Sequence, residues 1–263
     1  MAILYEKQGK VAIITINRPQ VHNATDFETM GEIVEARRDF DSDDNLRVAI
    51  ITGIGEKAFC AGADLKKTSP PSGDLTQSVA AQFWKRDTTV DWQLISEQVS
   101  KPMIAAVNGY CLGGGLEIAL TCEIRIASDN ATFGAPEVRV GSMPGGGATQ
   151  RLIRQLPMAF AAKMLFTGET IDAKLALQWG LVSDVVPLAE LIPTAKRIAN
   201  QIAEGAPLSL RAIKTAIVEG QSLPVEKGLL VERFLYGMLR DTHDRMEGRK
   251  AFAEKRKAEY KGY

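Results

Sequence analysis

Two kinds of apolar spacing alternate along this chain. Val11 to Ile16 (VAIITI) is a short β-branched run closed by Asn17-Arg18-Pro19, the pattern of a buried strand and a turn. Thr25-Asp26-Phe27-Glu28 reads as a capping box, with Thr25 capping and Glu28 reaching back. Phe27, Met30, Ile33, Val34 and Phe40 then fall at helical spacing, up to a polar break at Asp41 to Asn45. Arg47 to Thr52 (RVAIIT) predicts a second strand, broken by Gly53-Ile54-Gly55. Ala58 to Lys67 starts apolar and turns into a glycine-containing loop.

Thr68 to Gly73 (TSPPSG) is a loop, either a lid segment or plain surface. Leu75 to Gln98 has helical spacing and carries Trp84 and Trp92. Pro102 to Asn108 (PMIAAVN) predicts a third strand, and Gly113-Gly114-Gly115 opens a helical run. Ile124 to Ala127 is a short strand before the Ser128-Asp129-Asn130 turn. From Gly147 helices dominate, with one strand-like piece at Leu181 to Val186. Pro207 to Gly220, Val225 to Leu239 and Glu247 to Lys261 are the expected last helices. Strands mixed with helices, followed by helices alone, imply an α/β core and a helical C-terminal portion.

Composition narrows the function classes. Hydrophobic residues make up 45% of the 263, and charged residues 24%, as in a chain with a full core. Lys plus Arg and Asp plus Glu are 32 each, so no basic excess points to a nucleic-acid partner. Locally, Arg245 to Tyr263 holds seven basic and three acidic residues, a solvated helix face or an anion site. Cys60, Cys111 and Cys122 are odd in number and lack C-x-x-C spacing, which argues for packing roles in a reducing compartment, the cytoplasm. The first ten residues hold no long apolar stretch of a signal peptide, and no apolar run is long enough to span a membrane.

Three groupings carry candidate chemistry. Cys111 to Glu117 (CLGGGLE) puts glycines at a strand–helix junction, where free N–H groups suit a developing anion but where a tight turn is the commoner use. Glu117 and Glu137, each among apolar neighbours, are carboxyls whose pKa burial can raise and which can share acid–base work around one water. Equally, Glu117 can simply favour a helix N-terminus, and Glu137 can be a surface residue. Cys60 to Lys66 (CAGADLK) is a small-residue loop with a possible further backbone donor and a lysine for an anion. Other chemistries lack their signatures. His22 and His243 have no metal-ligand partner at helical spacing, and neither a G-x-S-x-G elbow nor a G-x-x-x-x-G-K-[ST] loop occurs. No metal site is expected.

Taken together these motifs resemble the crotonase (enoyl-CoA hydratase/isomerase) superfamily. The resemblance is carried by Asn17-Arg18-Pro19 with Asn23-Ala24, by Ala61-Gly62-Ala63-Asp64-Leu65, and by Asn108-Gly109-Tyr110 running into Gly113 to Glu117. Pro136-Glu137, Gly141 to Arg151, Phe166-Thr167-Gly168, Gly180-Leu181-Val182 and Ala251 to Arg256 continue it, in order, over essentially the whole chain. It implies a spiral of stacked ββα units over residues 1–200, and a helical trimerisation region over 201–263, in a homotrimer or a dimer of trimers.

The resemblance also implies roles. Ala63 and Gly114 would donate backbone N–H groups to the thioester oxygen of an acyl-CoA, and Gly145 would help hold a water. Glu117 would deprotonate that water and Glu137 would protonate the α-carbon. The reverse division stays open, because such a pair titrates as one unit. Ala61, Asp64, Leu65 and Lys66 would lie along the coenzyme, with Lys66 near its nucleotide. Phe252 and Lys255 match tail residues that reach a CoA phosphate. Coenzyme A would enter as part of the substrate, with no permanently bound cofactor. Having both glutamates favours hydration of a trans-2-enoyl-CoA. The alternatives are isomerisation, dehydration of a specialised hydroxyacyl-CoA, or a non-catalytic RNA-binding role. Thr25 stands where many relatives carry Leu, His22 lies in the segment shaping the coenzyme entrance, and Arg139 follows Glu137 by two residues. The acyl chain is not legible in Thr68 to Gln98, whose Phe83, Trp84, Trp92, Pro70 and Pro71 set no length.

Overall fold

The computed structural model describes residues 1–68 and 99–263. The expected loop over Thr68 to Gly73 falls almost wholly outside them, and the expected helix over Leu75 to Gln98 does so entirely.

Among the described residues, ten strands form two sheets. The larger has the order β1 (Ile3–Gln8), β2 (Val11–Ile16), β3 (Val48–Gly53), β5 (Met103–Val107), β7 (Ile124–Ser128) and β10 (Asp184–Val186). The smaller has β4 (Ala58–Cys60), β6 (Tyr110–Leu112), β8 (Thr132–Gly134) and β9 (Ile171–Asp172). The β1–β2 and β8–β9 pairs are antiparallel and the rest parallel. Three successive turns of chain, β3–β4, β5–β6 and β7–β8, each give one strand to each sheet. Helix α2 (Leu65–Thr68) follows the first turn and α3 (Gly114–Leu120) the second, while a 3-10 turn at Pro136–Val140 follows the third. This is the stacked ββα spiral that the motifs implied.

Alternation along the strands divides the core. Ile14, Ile16, Ala49, Ile51 and Met103 enter one apolar cluster with Phe40, Phe59 and Phe133. Their neighbours Val11, Ile13, Val48, Ile50, Ile104 and Ile126 face the other side, where Leu191, Ala195, Ala199 and Ala203 cover them. The inner strands β2, β3, β5 and β7 are buried on both faces, as parallel strands require. The remaining helices are α1 (Phe27–Ser42), α4 (Ala148–Gln155), α5 (Met158–Thr167), α6 (Ala173–Trp179), α7 (Leu188–Ala203), α8 (Pro207–Gly220), α9 (Val225–Met238) and α10 (His243–Ala253). No helix among the described residues is long and apolar enough to cross a membrane.

Three local expectations change. The cap of α1 is Asp26 rather than Thr25: its carboxylate accepts from Thr29 N at 2.9 Å and from Thr29 Oγ1 at 2.6 Å. Thr25 is engaged elsewhere, pairing its backbone with the loop after β4. The last helix runs from His243 to Ala253, not from Glu247 to Lys261. Thr242 caps it, accepting from Arg245 N at 3.3 Å, and the tail then folds back so that Asp244 accepts from Lys261 N at 2.7 Å and Gly262 N at 2.8 Å. Strand β1 is an addition, hidden in the sequence because its second half, Glu6-Lys7-Gln8, is exposed on an edge. All three cysteines are buried free thiols in the core, and Trp179 packs on Phe160 with ring centroids 4.4 Å apart.

Candidate active site

The site is assembled where two loops approach. After β4 the chain runs beside residues 22–25, with Ala61 N donating to His22 O at 3.1 Å, Thr25 N to Gly62 O at 2.8 Å and Asp64 N to Thr25 O at 2.8 Å. Those bonds bracket Ala63 and leave its own N–H turned away from the bridge, on an exposed residue. Arg18 fixes the same loop from below: its guanidinium donates to Ala24 O, and one nitrogen lies 3.1 Å from Asp64 and 3.2 Å from Asp26. Asn23 and Asn108 converge on the Ala58 carbonyl, at 2.6 and 3.2 Å, and so tie the turn after β2 to the one after β5.

The second loop precedes α3. Gly113 donates to Gly134 O at 2.9 Å, which anchors the glycine run to β8. Gly114 starts the helix, so its N–H has no acceptor within that helix. A Cβ placed on Gly62, where φ is +101°, would lie 3.0 Å from Leu112 O and 3.5 Å from Gly114 N. A Cβ on Gly114 would lie 3.8 Å from Ala63 N. The two candidate donors therefore border one small space, and the positive φ and close approach at Gly62 require glycine there.

Two acids adjoin that space. Glu117, in the first turn of α3, is only 3% exposed. Its Oε1 accepts from Gly146 N at 2.6 Å and from Ala148 N at 3.1 Å. Burial raises its pKa, the two N–H donors oppose this, and the charge of Glu137 raises it further. The carboxyls, 20 positions apart in sequence, are thus brought within electrostatic reach of each other. Glu137 sits in the 3-10 turn, where its carbonyl accepts from Ser142 N at 3.0 Å. Its Oε1 would stand 3.2 Å from a Cβ on Gly113, and its buried Oε2 has no hydrogen-bond partner among the described residues. Burial raises its pKa too, and its own backbone N–H opposes this in part. A desolvated acid with an unpartnered oxygen, beside another acid fixed by N–H donors, can give and take protons around a single small molecule.

The other expected positions divide. Lys66 and Leu65 are exposed in α2, and Ala61 is half-buried at the start of the donor loop. Asp64 turns its carboxylate to Arg18. Gly145 is exposed, directly before the Gly146 that holds Glu117. Phe252, 87% exposed, lies at the end of α10 and lines a cavity of about 470 Å³ with Tyr236, Arg245 and Tyr260; Lys255 follows in the tail with φ +53°. His22 meets Tyr110 edge-on at 6.0 Å. Arg139 donates Nε to Thr167 O at 3.0 Å, pinning the Glu137 turn to the end of α5. Reading the sequence missed that Gly146 and Ala148 hold Glu117 and that Arg151 supports them. The glycine run Gly145-Gly146-Gly147 before a helix was the available signal.

Two desolvated acids beside free backbone N–H groups are an arrangement suited to proton transfer next to a carbonyl. This chain belongs to the enoyl-CoA hydratase/isomerase family, whose pattern matches residues 6–263, within the crotonase superfamily. It is 46% identical over 262 residues, covering 100% of both chains, to a protein of Thauera aromatica named (E)-benzylidenesuccinyl-CoA hydratase. It is 42% identical over 257 residues, 98% of this chain and 96% of the other, to a short-chain-enoyl-CoA hydratase of Clostridium acetobutylicum. Among solved structures, an enoyl-CoA hydratase from Geobacillus kaustophilus superposes with a TM-score of 0.90 at 40% identity, covering 100% of this chain and 99% of that one. Relatives so named are lyases.

Proposed function

We propose that this protein is an enoyl-CoA hydratase that adds water across the trans-2 double bond of an acyl-CoA thioester. The observation that carries the reading is the contrast between the two acids. Glu117 is held by two N–H donors, which favour a carboxylate, whereas the buried Oε2 of Glu137 has no donor, which favours a protonated acid. Glu117 takes a proton from water as the water oxygen bonds to C3. The electrons of the double bond move to the thioester oxygen, which the N–H groups of Ala63 and Gly114 receive. That enolate then takes the Glu137 proton at C2, and proton exchange with water resets the pair. Donors aimed at charge that appears only in the transition state raise the rate without tightening substrate binding. Gly145 contributes backbone to the water site.

Coenzyme A enters with the substrate, along Ala61, Leu65 and Lys66, on a loop that Asp64 holds through Arg18, and the tail's Phe252 and Lys255 meet the phosphate end. The chain assembles as a trimer or dimer of trimers through residues 201–263, a reading supported by the exposed Leu229, Leu230 and Phe234 of α9. Buried free thiols suit a cytoplasmic setting. The test is a panel of trans-2-enoyl-CoA thioesters followed by loss of the conjugated-thioester absorbance. Because relatives are named for short-chain, 2,3-dehydroadipyl and benzylidenesuccinyl thioesters, the panel includes linear, carboxylated and aryl-bearing acyl groups. Turnover of at least one is expected, and turnover of none removes the hydratase reading.

A further inference from the structure

Arg151 closes the loop that holds Glu117. It stands in the first turn of α4, where its backbone N–H bonds Gly147 O at 2.9 Å. Its side chain reaches back over the glycine run, and Nη1 donates to the carbonyl of Gly146 at 2.8 Å. The N–H of the same Gly146 donates to Glu117 Oε1 at 2.6 Å. One residue therefore links cation and carboxylate through its two ends, in a chain of hydrogen bonds whose members polarise each other. Gly147 shows how closely the loop is fitted to the guanidinium. Its φ is +108°, and a Cβ there would stand 2.1 Å from Nη1.

We infer that Arg151 is a positioning residue for hydration, which shapes the Gly145–Ala148 loop and keeps Glu117 aimed and ionised toward the attacking water. The inference rests on the hydratase reading above. Several other groups bear on Glu117. From the 3-10 turn Glu137 repels its charge, and from α4 Arg151 attracts it. On the strands beside α3, Cys60 and Cys111 are buried thiols that desolvation keeps neutral, with Cys60 pushed up to about 12. Behind Arg151 lies Arg37 of α1. Burial lowers the Arg151 pKa, Glu117 opposes this, and Arg37 adds repulsion. Arg151 thus feels both a carboxylate and another cation, and Glu117 is one group that stabilises its charge.

The experiment compares the whole enzyme with Arg151→Lys and Arg151→Gln, using the best enoyl-CoA of the panel. For Arg151→Gln, which retains a donor without charge, the acid limb of kcat/KM is expected to move up by about one pH unit, the scale of a lost neighbouring charge. Its kcat should fall at least about tenfold while KM changes little. Arg151→Lys should keep the wild-type acid limb and recover much of kcat. An unmoved acid limb in Arg151→Gln overturns the inference, and so does a limb displaced by a full unit in Arg151→Lys. If Arg151→Gln does not fold, the Lys variant decides alone. Absence of wild-type turnover removes the hydratase reading and this inference with it. Wild-type turnover with an unmoved limb removes only the inference.

Discussion

Gly146 donates its N–H to Glu117 Oε1 at 2.6 Å, joining a glycine loop to an acid 29 positions earlier. This bond, with that from Ala148, fixes one oxygen of the carboxylate. In a glutamate that is 3% exposed, these donors offset part of the desolvation that burial imposes, as the proposed base role requires.

Activity should follow a bell-shaped pH profile. Both acids have pKa values raised by burial, and the proposed mechanism uses Glu117 ionised and Glu137 protonated. The rate is lost at low pH as Glu117 gains its proton and at high pH as Glu137 loses one. Both limbs of kcat/KM should lie above the ordinary glutamate value of about 4.3. A flat profile through the weakly acidic range would contradict this.

The same shifts bear on stability, with a definite sign. A carboxyl raised in the folded state binds more protons folded than unfolded between its ordinary and raised pKa values. The contribution of Glu117 and Glu137 is thus fully present below the ordinary glutamate range and is lost as pH rises through the raised values. Glu137→Gln should raise Tm at neutral pH, and the gain should vanish near pH 4. Thermal melts at the two pH values measure it.

Adjacent glycines should respond differently to a methyl group. A Cβ on Gly115 would stand 2.1 Å from the backbone oxygen of Cys60, so Gly115→Ala should destabilise by about 3 kcal/mol. A Cβ on Gly114 meets Ala63 N at an ordinary 3.8 Å, so Gly114→Ala should fold with near wild-type Tm. It places the methyl at the mouth of the donor pair, so kcat should drop. Melting and steady-state kinetics on both variants check the contrast.

Asp64 should act through the fold rather than through direct coenzyme contact. Its carboxylate lies 3.1 Å from Arg18, with 11% and 10% of the two side chains exposed. Asp26 remains as a partner, so Asp64→Asn should cost about 2 kcal/mol, less than the 3–5 of fully orphaning a buried charge. A KM effect without a change in Tm would return Asp64 to the coenzyme side.

How much of this could be read from the sequence depended on element length. β2, β3 and β5 have five or six residues of continuous apolar pattern and were legible. β4, β6 and β8 have three each, too few for any periodicity, so the smaller sheet was legible only through the family motifs. Glu117 and Glu137 were candidates from their apolar neighbours, and Ala63 and Gly114 were named as donors through the same motifs. Their support was not, because Arg18, Asn23 and Asn108 act across long sequence separations. Asn23, for instance, reaches Ala58 from 35 positions away.

The most direct test of the account is the pair of single variants Glu117→Gln and Glu137→Gln with the double variant, assayed for hydration of an enoyl-CoA and, separately, for binding of the thioester. Each single change should slow hydration by about 10²- to 10⁴-fold, the usual range for a lost general acid or base, with binding retained. The double variant should be little slower than the slower single one, because the acids act as a unit. Near wild-type turnover in either single variant would contradict the shared acid–base role.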